Sequence, residues 1–313
     1  MILQIMAKDS IEITEGAVFC RACGLSYGIT EGIVNALVFC DPAVKAARSV
    51  YCESKKRMPA KYTKADLSRR EHLDRNYLHD TEVNFRDFLE RSEQGSGWAL
   101  DIGAGTGWTT VGLTGMGYRA VAIDISADNK LDLGKYHFKE GIYFDRVLAD
   151  VNHLPFSDNI FDLTFASASL HHSRSLGAAL GEISRTARIG ARLELINEPV
   201  RGLAEAFQND PGHLEGPEGV IEKHYGIYTW ILKIKKAGYC GTHRFPASIR
   251  NRLDNGNFTS KHKFNVMART VSKLYRLKLF RKIIEGMLFR FGMYIFGLPL
   301  IYSGIKRSDR ERD

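Results

Sequence analysis

The chain has 313 residues, 44% of them apolar, and a formal net charge of +8. That length allows one large domain or two smaller ones, and the composition excludes collagenous, low-complexity and broadly disordered chains. The five cysteines, Cys20, Cys23, Cys40, Cys52 and Cys240, are odd in number and lack a disulfide-framework spacing, which points to a reducing, cytoplasmic protein. Residues 1–6 are apolar apart from Gln4 but lack the basic start, long apolar core and cleavage site of a signal peptide, so none is expected.

Residues 1–45 carry short apolar alternations around Cys20-x-x-Cys23. A structural zinc site needs four ligands. Residues 1–19 hold no Cys or His, and the spacing of Cys40 and Cys52 fits no usual site, so no bound metal is expected. Residues 60–94 are polar with helical spacing, and Leu67, Tyr77, Leu78, Phe85, Phe88 and Leu89 can form one face. From 97 to 270 strand-like and helix-like stretches alternate, the pattern of a parallel α/β sheet. The expected strands are 98–102, 119–123, 146–149, 161–166 and 191–196, with helices at 109–116, 177–186 and 228–237. A final antiparallel pair is expected from 242–246 and 264–269.

Residues 271–313 form a tail. From Lys261 onward thirteen Lys and Arg stand against four Asp and Glu, so the positive excess belongs to this end. Residues 291–305 are uncharged but number only 15, short of the roughly 20 that a spanning helix needs. Two readings stand open. The segment packs on the α/β domain, or it lies in the plane of an anionic membrane, peripheral on its inner face. In the second case Lys273, Arg276, Lys278, Arg281, Lys282, Lys306 and Arg307 meet the headgroups. No nucleic-acid-binding module is recognised, so nucleic acid is not the expected partner.

The chemistry-bearing signal is Asp101-Ile-Gly103-Ala104-Gly105-Thr-Gly107, between the first strand of the α/β section and a helix. Glycines let the backbone take positive φ and approach a ligand closely. In open α/β sheets the ligand sits beyond the carboxyl ends of the strands. A dinucleotide fingerprint wants Gly or Ala where Trp108 stands, and no Gly-Lys-Ser/Thr of a P-loop is present. Asp101 would repel a phosphate and suits a ligand with an ammonium group. Asp124 closes the second strand, where an acid can accept both ribose hydroxyls. Asp150 closes the third, where it can accept from an adenine amine. Each is otherwise a solvated turn or a helix N-cap.

These residues carry a resemblance. The stretch from Trp98 to Pro199 resembles the class I S-adenosylmethionine (SAM)-dependent methyltransferases, in the branch related to the ubiquinone- and menaquinone-biosynthesis enzymes. The glycine loop looks like the family's first motif and Ala122-Ile-Asp124 like its second. Asp150-Val-Asn-His-Leu-Pro-Phe-Ser-Asp-Asn-Ile-Phe-Asp162 is similar to its "D-x-x-x-LPF-x-D-x-x-FD" signature. Ser167-Ala-Ser-Leu-His-His172 resembles its segment after strand four. Glu182-Ile-Ser-Arg-Thr-Ala-Arg-Ile-Gly190 resembles its helix and turn, with Ile189 for Pro and Ala191 for the second Gly. More weakly, residues 15–34 resemble half of a zinc-ribbon module that often precedes such domains.

The resemblance implies an α/β fold: a doubly wound sheet in the order 3-2-1-4-5-7-6 with strand 7 antiparallel. It is flanked by a small N-terminal module (1–45) and a basic, helical C-terminal tail (271–313), with the methyltransferase domain at 60–270. It implies SAM as cofactor, held by Asp101, Gly103, Ala104, Gly105, Asp124, Ile125, Asp150, Val151 and Ser167. The implied activity is methyl transfer to a small-molecule, lipid-linked or glycan-related acceptor. The alternatives are an RNA (tRNA) methyltransferase or a non-catalytic SAM-binding partner subunit. Methyl transfer from a sulfonium is an in-line displacement, and a base is needed only if the acceptor loses a proton. His171 and His172 are the candidates, with His153 behind them. Glu198-Pro199 follows strand five and faces the cleft. The insertion to about Gly226, with Glu215, Glu218, Glu222, His224 and Tyr225, is expected to lid the acceptor pocket.

Overall fold

The computed structural model describes residues 2–21, 24–37, 75–127, 132–203, 213–215, 221–255 and 265–308. Among them an eleven-stranded sheet runs in the order β1-β2-β3-β4-β7-β6-β5-β8-β9-β13-β12. Its centre is β5 (Trp98–Ile102), β6 (Arg119–Asp124), β7 (Asp145–Leu148), β8 (Phe161–Ser167) and β9 (Ala187–Glu198), all parallel. Counted from the glycine-loop strand, β7 through β12 stand in the order 3-2-1-4-5-7-6.

Alternate residues of these strands feed two cores, as the period of two demands. Leu100, Ile102, Val121 and Ile123 join one, while Ala99, Ala120 and Ala122 join the other. Burial on both faces explains why the strands read as near-continuous apolar runs. Helix α1 (Arg75–Arg91) sends Phe85 and Phe88 onto Phe165 of β8, with ring centroids 5.4 and 5.1 Å away. These are two of the residues expected on its apolar face. Leu67 lies outside the described residues, as do the side chains of Tyr77 and Leu78. Helix α2 (Trp108–Gly115) follows the glycine loop. Helices α3 (Leu176–Thr186) and α4 (Ile227–Lys236) bury Leu180, Ile183, Trp230 and Ile234 in the first core.

Two expectations need correction. The final antiparallel pair is β12 (Tyr239–His243) with β13 (Leu300–Lys306), in register Thr242 opposite Ser303. Residue 264 lies outside the described residues, and helix α6 (Asn265–Tyr275) occupies the rest of the expected second strand. Val271 and Tyr275, four apart and so on one helix face, pack with Phe245 and Leu253 of the segment carrying α5 (Ala247–Asn255). The domain boundary at 270 also falls inside the fold. The tail supplies β13, which inserts antiparallel between β9 and β12.

The N-terminal segment continues the same sheet. Strands β1 (Ile2–Ala7), β2 (Glu15–Phe19), β3 (Ser26–Thr30) and β4 (Ile33–Asn35) form an antiparallel meander, and β4 joins β7 in parallel. Buried Arg146 of β7 locks the join, donating to Glu12 Oε2 at 2.6 Å and to the Glu31 carbonyl at 2.7 Å. Cys20 sits at the end of β2, while Cys23, Cys40 and Cys52 lie outside the described residues.

Candidate cofactor and acceptor site

The carboxyl ends of β5, β6, β7, β8 and β9 converge on one edge of the sheet. After β5 the chain turns through Gly103 (φ 67°), Gly105 (φ 55°) and Gly107 (φ 73°). Gly103 is required by crowding, because a Cβ there would lie 2.5 Å from Ser169 Cβ. Above Gly105 the space is open among the described residues, since a Cβ built there meets none of their atoms within 4 Å. Trp108 opens α2 and packs edge-on against Phe85 at 4.8 Å.

Asp101 is buried beneath this loop. Its Oδ2 accepts from Thr109 Oγ1 at 2.7 Å and Thr110 Oγ1 at 2.6 Å, which ties β5 to the first turn of α2. Burial pushes its carboxyl up to about 6 against the opposing pull of the two hydroxyls. Asp124 ends β6 beside the loop. Its Oδ2 accepts from Gly105 N at 3.1 Å and its Oδ1 from Ser126 N at 3.0 Å. Asp150, just past β7, is buried; Oδ1 accepts from Asn152 N at 2.9 Å, and Oδ2 is buried with no hydrogen-bond partner among the described residues. A buried carboxylate oxygen without a donor is costly and asks for one.

The segment after Asp150 is held by residues from the far end of the motif series. Arg185 Nη2 and Nη1 donate to the Leu154 and Phe156 carbonyls at 3.0 and 2.8 Å, and Glu182 Oε2 accepts from Leu154 N at 2.9 Å. The Glu-x-x-Arg pattern on α3 is thus the clamp for the Leu-Pro-Phe loop. Asn152 bridges onward, donating to the Ser175 carbonyl at 2.8 Å and accepting from Arg174 N at 3.1 Å.

Beyond β8 a single turn, Leu170–His172, is organised by Glu198 at the end of β9. Oε1 of Glu198 accepts from Ser169 N and Leu170 N, both at 2.9 Å. Oε2 accepts from His171 N at 3.2 Å and pairs with His171 Nδ1 at 3.0 Å. Burial alone would raise the Glu198 carboxyl, but the His171 bond and charge and the backbone amides outweigh it and hold the group below its ordinary value. Its role as anchor of His171 was not readable from sequence, which placed it only at the cleft. His171 is buried, whereas His172 is exposed, their rings 3.9 Å apart.

Ala168 (φ 48°) and Asn197 (φ 60°) both take the left-handed conformation at the ends of β8 and β9, a strain that collects at functional sites. Asn197 is braced by Asn84 at 2.6 Å and donates to Ser167 Oγ at 3.3 Å. Asn84 lies 113 residues away, and no sequence signal links the pair. Val151 and Ile125 are half-buried at the same edge, and Ala104 is buried. His153 donates its backbone N–H to the Asp150 carbonyl at 2.9 Å. From the insertion, β10 (His213–Glu215) and β11 (Ile221–Lys223) form a two-stranded sheet. Lys223 Nζ donates to the Ser173 carbonyl at 3.3 Å, just past His172. Glu218 lies outside the described residues.

Residues 100–195 match the family model for a methyltransferase domain. The chain is 29% identical over 130 residues to a malonyl-acyl-carrier-protein O-methyltransferase of Hamiltonella defensa, covering 41% of this chain and 49% of that protein. It is 36% identical over 94 residues to a demethylmenaquinone methyltransferase of Mycobacterium tuberculosis, covering 30% and 38% respectively. The matches thus span less than half the length of these curated relatives. Among solved structures it resembles one from a complex of the Haloferax volcanii Trm112 methyltransferase activator with a candidate methyltransferase. That likeness has a TM-score of 0.52 and 14% identity, and covers 75% of this chain and 94% of the other. The chain therefore carries a methyltransferase domain on a class I SAM-methyltransferase fold.

Proposed function

We propose that this protein transfers a methyl group from SAM to a small-molecule or lipid-linked acceptor held beyond β8 and β9. The observation that supports it most is the buried Oδ2 of Asp150, unpartnered among the described residues and set at the strand end where an adenine amine would donate. Asp124, the open space over Gly105 and the deep carboxylate of Asp101 suit the ribose, the amino-acid backbone and the ammonium group. When bound, SAM supplies a methyl group on an activated sulfonium leaving group. The chain's own part is to orient the acceptor, exclude water and, through His171, take a proton where the acceptor must lose one.

Isothermal titration should show binding of SAM and S-adenosylhomocysteine and none of NAD. Tight NAD binding without SAM binding would overturn the reading. Asp124→Ala should weaken SAM by roughly 1.5–3 kcal/mol, since a charged acceptor is lost; unchanged affinity would remove Asp124 from the site.

SAM affinity should also depend on pH. The Asp101 carboxyl sits at about 6, above its ordinary value, so below that pH the empty site holds the neutral acid. An ammonium ligand favours the carboxylate, and binding at lower pH must then expel a proton. Affinity should rise about tenfold from roughly pH 5 to pH 7 and then level off. Asp101→Asn should flatten the profile, and a flat wild-type profile would separate Asp101 from the ligand.

A further inference from the structure

Helix α7 (Lys278–Met287) and the π-turn Leu288–Gly292 that continues it face outward with an apolar row. Leu279, Ile283, Met287 and Phe291, each four residues on from the last, are 77, 56, 58 and 58% exposed. Leu277 and Phe280 add to the row, and Ile295 extends it. The opposite side does the packing: Ile284 and Leu288 lie against the small core of Phe245, Leu253 and Tyr275. Four large apolar side chains in line, three of them on a helix with no buried residue and the fourth on the π-turn that continues it, are not the scattered apolar exposure of an ordinary surface.

The charge around the row is predominantly positive. Arg276, Lys278, Arg281, Lys282 and Arg290 are all exposed. The one acid of the helix, Glu285, is half-buried and turned inward, accepting from Arg250 Nε at 3.0 Å and Tyr275 Oη at 2.5 Å. Arg281 is paired with Asp254. Among the described residues no carboxylate pairs with Lys278, Lys282 or Arg290. No described helix is long and apolar enough to cross a membrane.

The row also ends at the site. A Cβ on Gly202 would lie 2.6 Å from Gly297 N and 2.7 Å from the Ile295 carbonyl oxygen, so the backbone after the row presses on the loop after Glu198. Leu300 then pairs with Glu198 itself.

We infer that this row and its cations form a docking surface for an anionic lipid bilayer. Apolar side chains would enter the headgroup boundary while lysines and arginines meet anionic headgroups. Resting on the methyltransferase reading, the placement also sets the acceptor mouth beside the bilayer and assigns an acceptor that partitions into it.

The test is cosedimentation of the full chain with vesicles of phosphatidylcholine alone or mixed equally with phosphatidylglycerol. Binding should require the anionic lipid and weaken as salt rises. The triple variant Leu279→Ser, Ile283→Ser, Met287→Ser should bind roughly tenfold or more weakly. Lys278→Glu with Lys282→Glu should lose roughly fivefold or more per cation. No wild-type binding at low salt, or undiminished binding by the triple variant, overturns the docking surface. So does a wild-type dimer that ignores vesicles and falls apart in the triple variant. SAM titration of the same variants keeps the two readings apart, because both should bind SAM as the wild type does. With native membranes and methyl-labelled SAM, label should enter solvent-extractable lipid; label confined to water-soluble product overturns the acceptor class.

Discussion

Replacing His171 with Ala should lower methyl transfer to a proton-losing acceptor by about 10²–10⁴-fold, the usual worth of a positioned base, while SAM affinity stays within about twofold of wild type. Turnover is read as release of S-adenosylhomocysteine with the acceptor-containing extract, and affinity by titration. Glu198→Gln is the sharper variant. In the wild type Oε1 of Glu198 serves two backbone amides while Oε2 faces His171 N and Nδ1. With neutral imidazole, Nδ1–H donates to Oε2 and the lone pair is left on Nε2. The amide of Gln has one oxygen. If that oxygen keeps the Ser169 and Leu170 amides, its NH2 must face Nδ1, which forces the proton to Nε2 and removes the base. Turnover should fall at least tenfold, and a further loss in protein stability should come from the donor facing His171 N. Full activity in both variants would leave the turn as a structural element and assign methyl transfer to orientation alone.

The placement of the candidate residues at strand ends was legible in the sequence wherever one local stretch does one job. Asp101, Gly103, Gly105, Asp124 and Asp150 lie at strand ends, and each was readable from the few residues around it. The glycine at 103 was readable from its loop, but the close passage of Ser169 that requires it was not. What could not be read are partners far apart in the chain. Asn84 reaches Asn197, and Arg91 of α1 reaches Glu194 of β9 at 3.0 Å, across 103 residues. The same holds for β13. A strand buried on both faces reads as a plain apolar run, which periodicity cannot tell from a buried or membrane-lying helix. Residues 291–305 are therefore two things in one uncharged run: an exposed helical row up to Ile295 and a buried strand from Leu300. The packing reading thus holds for the strand half, while the membrane reading of the helical half stays the proposal made above for the outward row.

That division bears on how the tail is tested. Cutting the chain after Val271 should abolish soluble, SAM-binding protein, not merely membrane contact. It removes Leu300, Ile301 and Tyr302, which are 0, 2 and 3% exposed. At roughly 1.5–3 kcal/mol per buried side chain the three contribute about 5–9 kcal/mol, comparable with the whole stability of a domain. Polar ties are lost as well. Lys306 Nζ donates to the Ser184 and Ala187 carbonyls at 2.7 and 2.8 Å, and Ser303 Oγ to buried Glu194 Oε1 at 2.6 Å. Glu194 would keep Arg91 and Arg192, at 3.0 and 2.6 Å, but lose its cover. The cut also leaves β9 and β12 as open edges where β13 had joined them, a template for aggregation. Ile301→Asp should reproduce the failure in the full-length chain by placing an unpaired charge in the second core. The triple Ser variant of the outward row should instead stay soluble and unfold within about 1 kcal/mol of wild type in denaturant, since exposed positions rarely cost more. A truncated chain that remained soluble, cooperative in unfolding and competent for SAM would mean that β13 is dispensable. The sheet would then close on β9 alone.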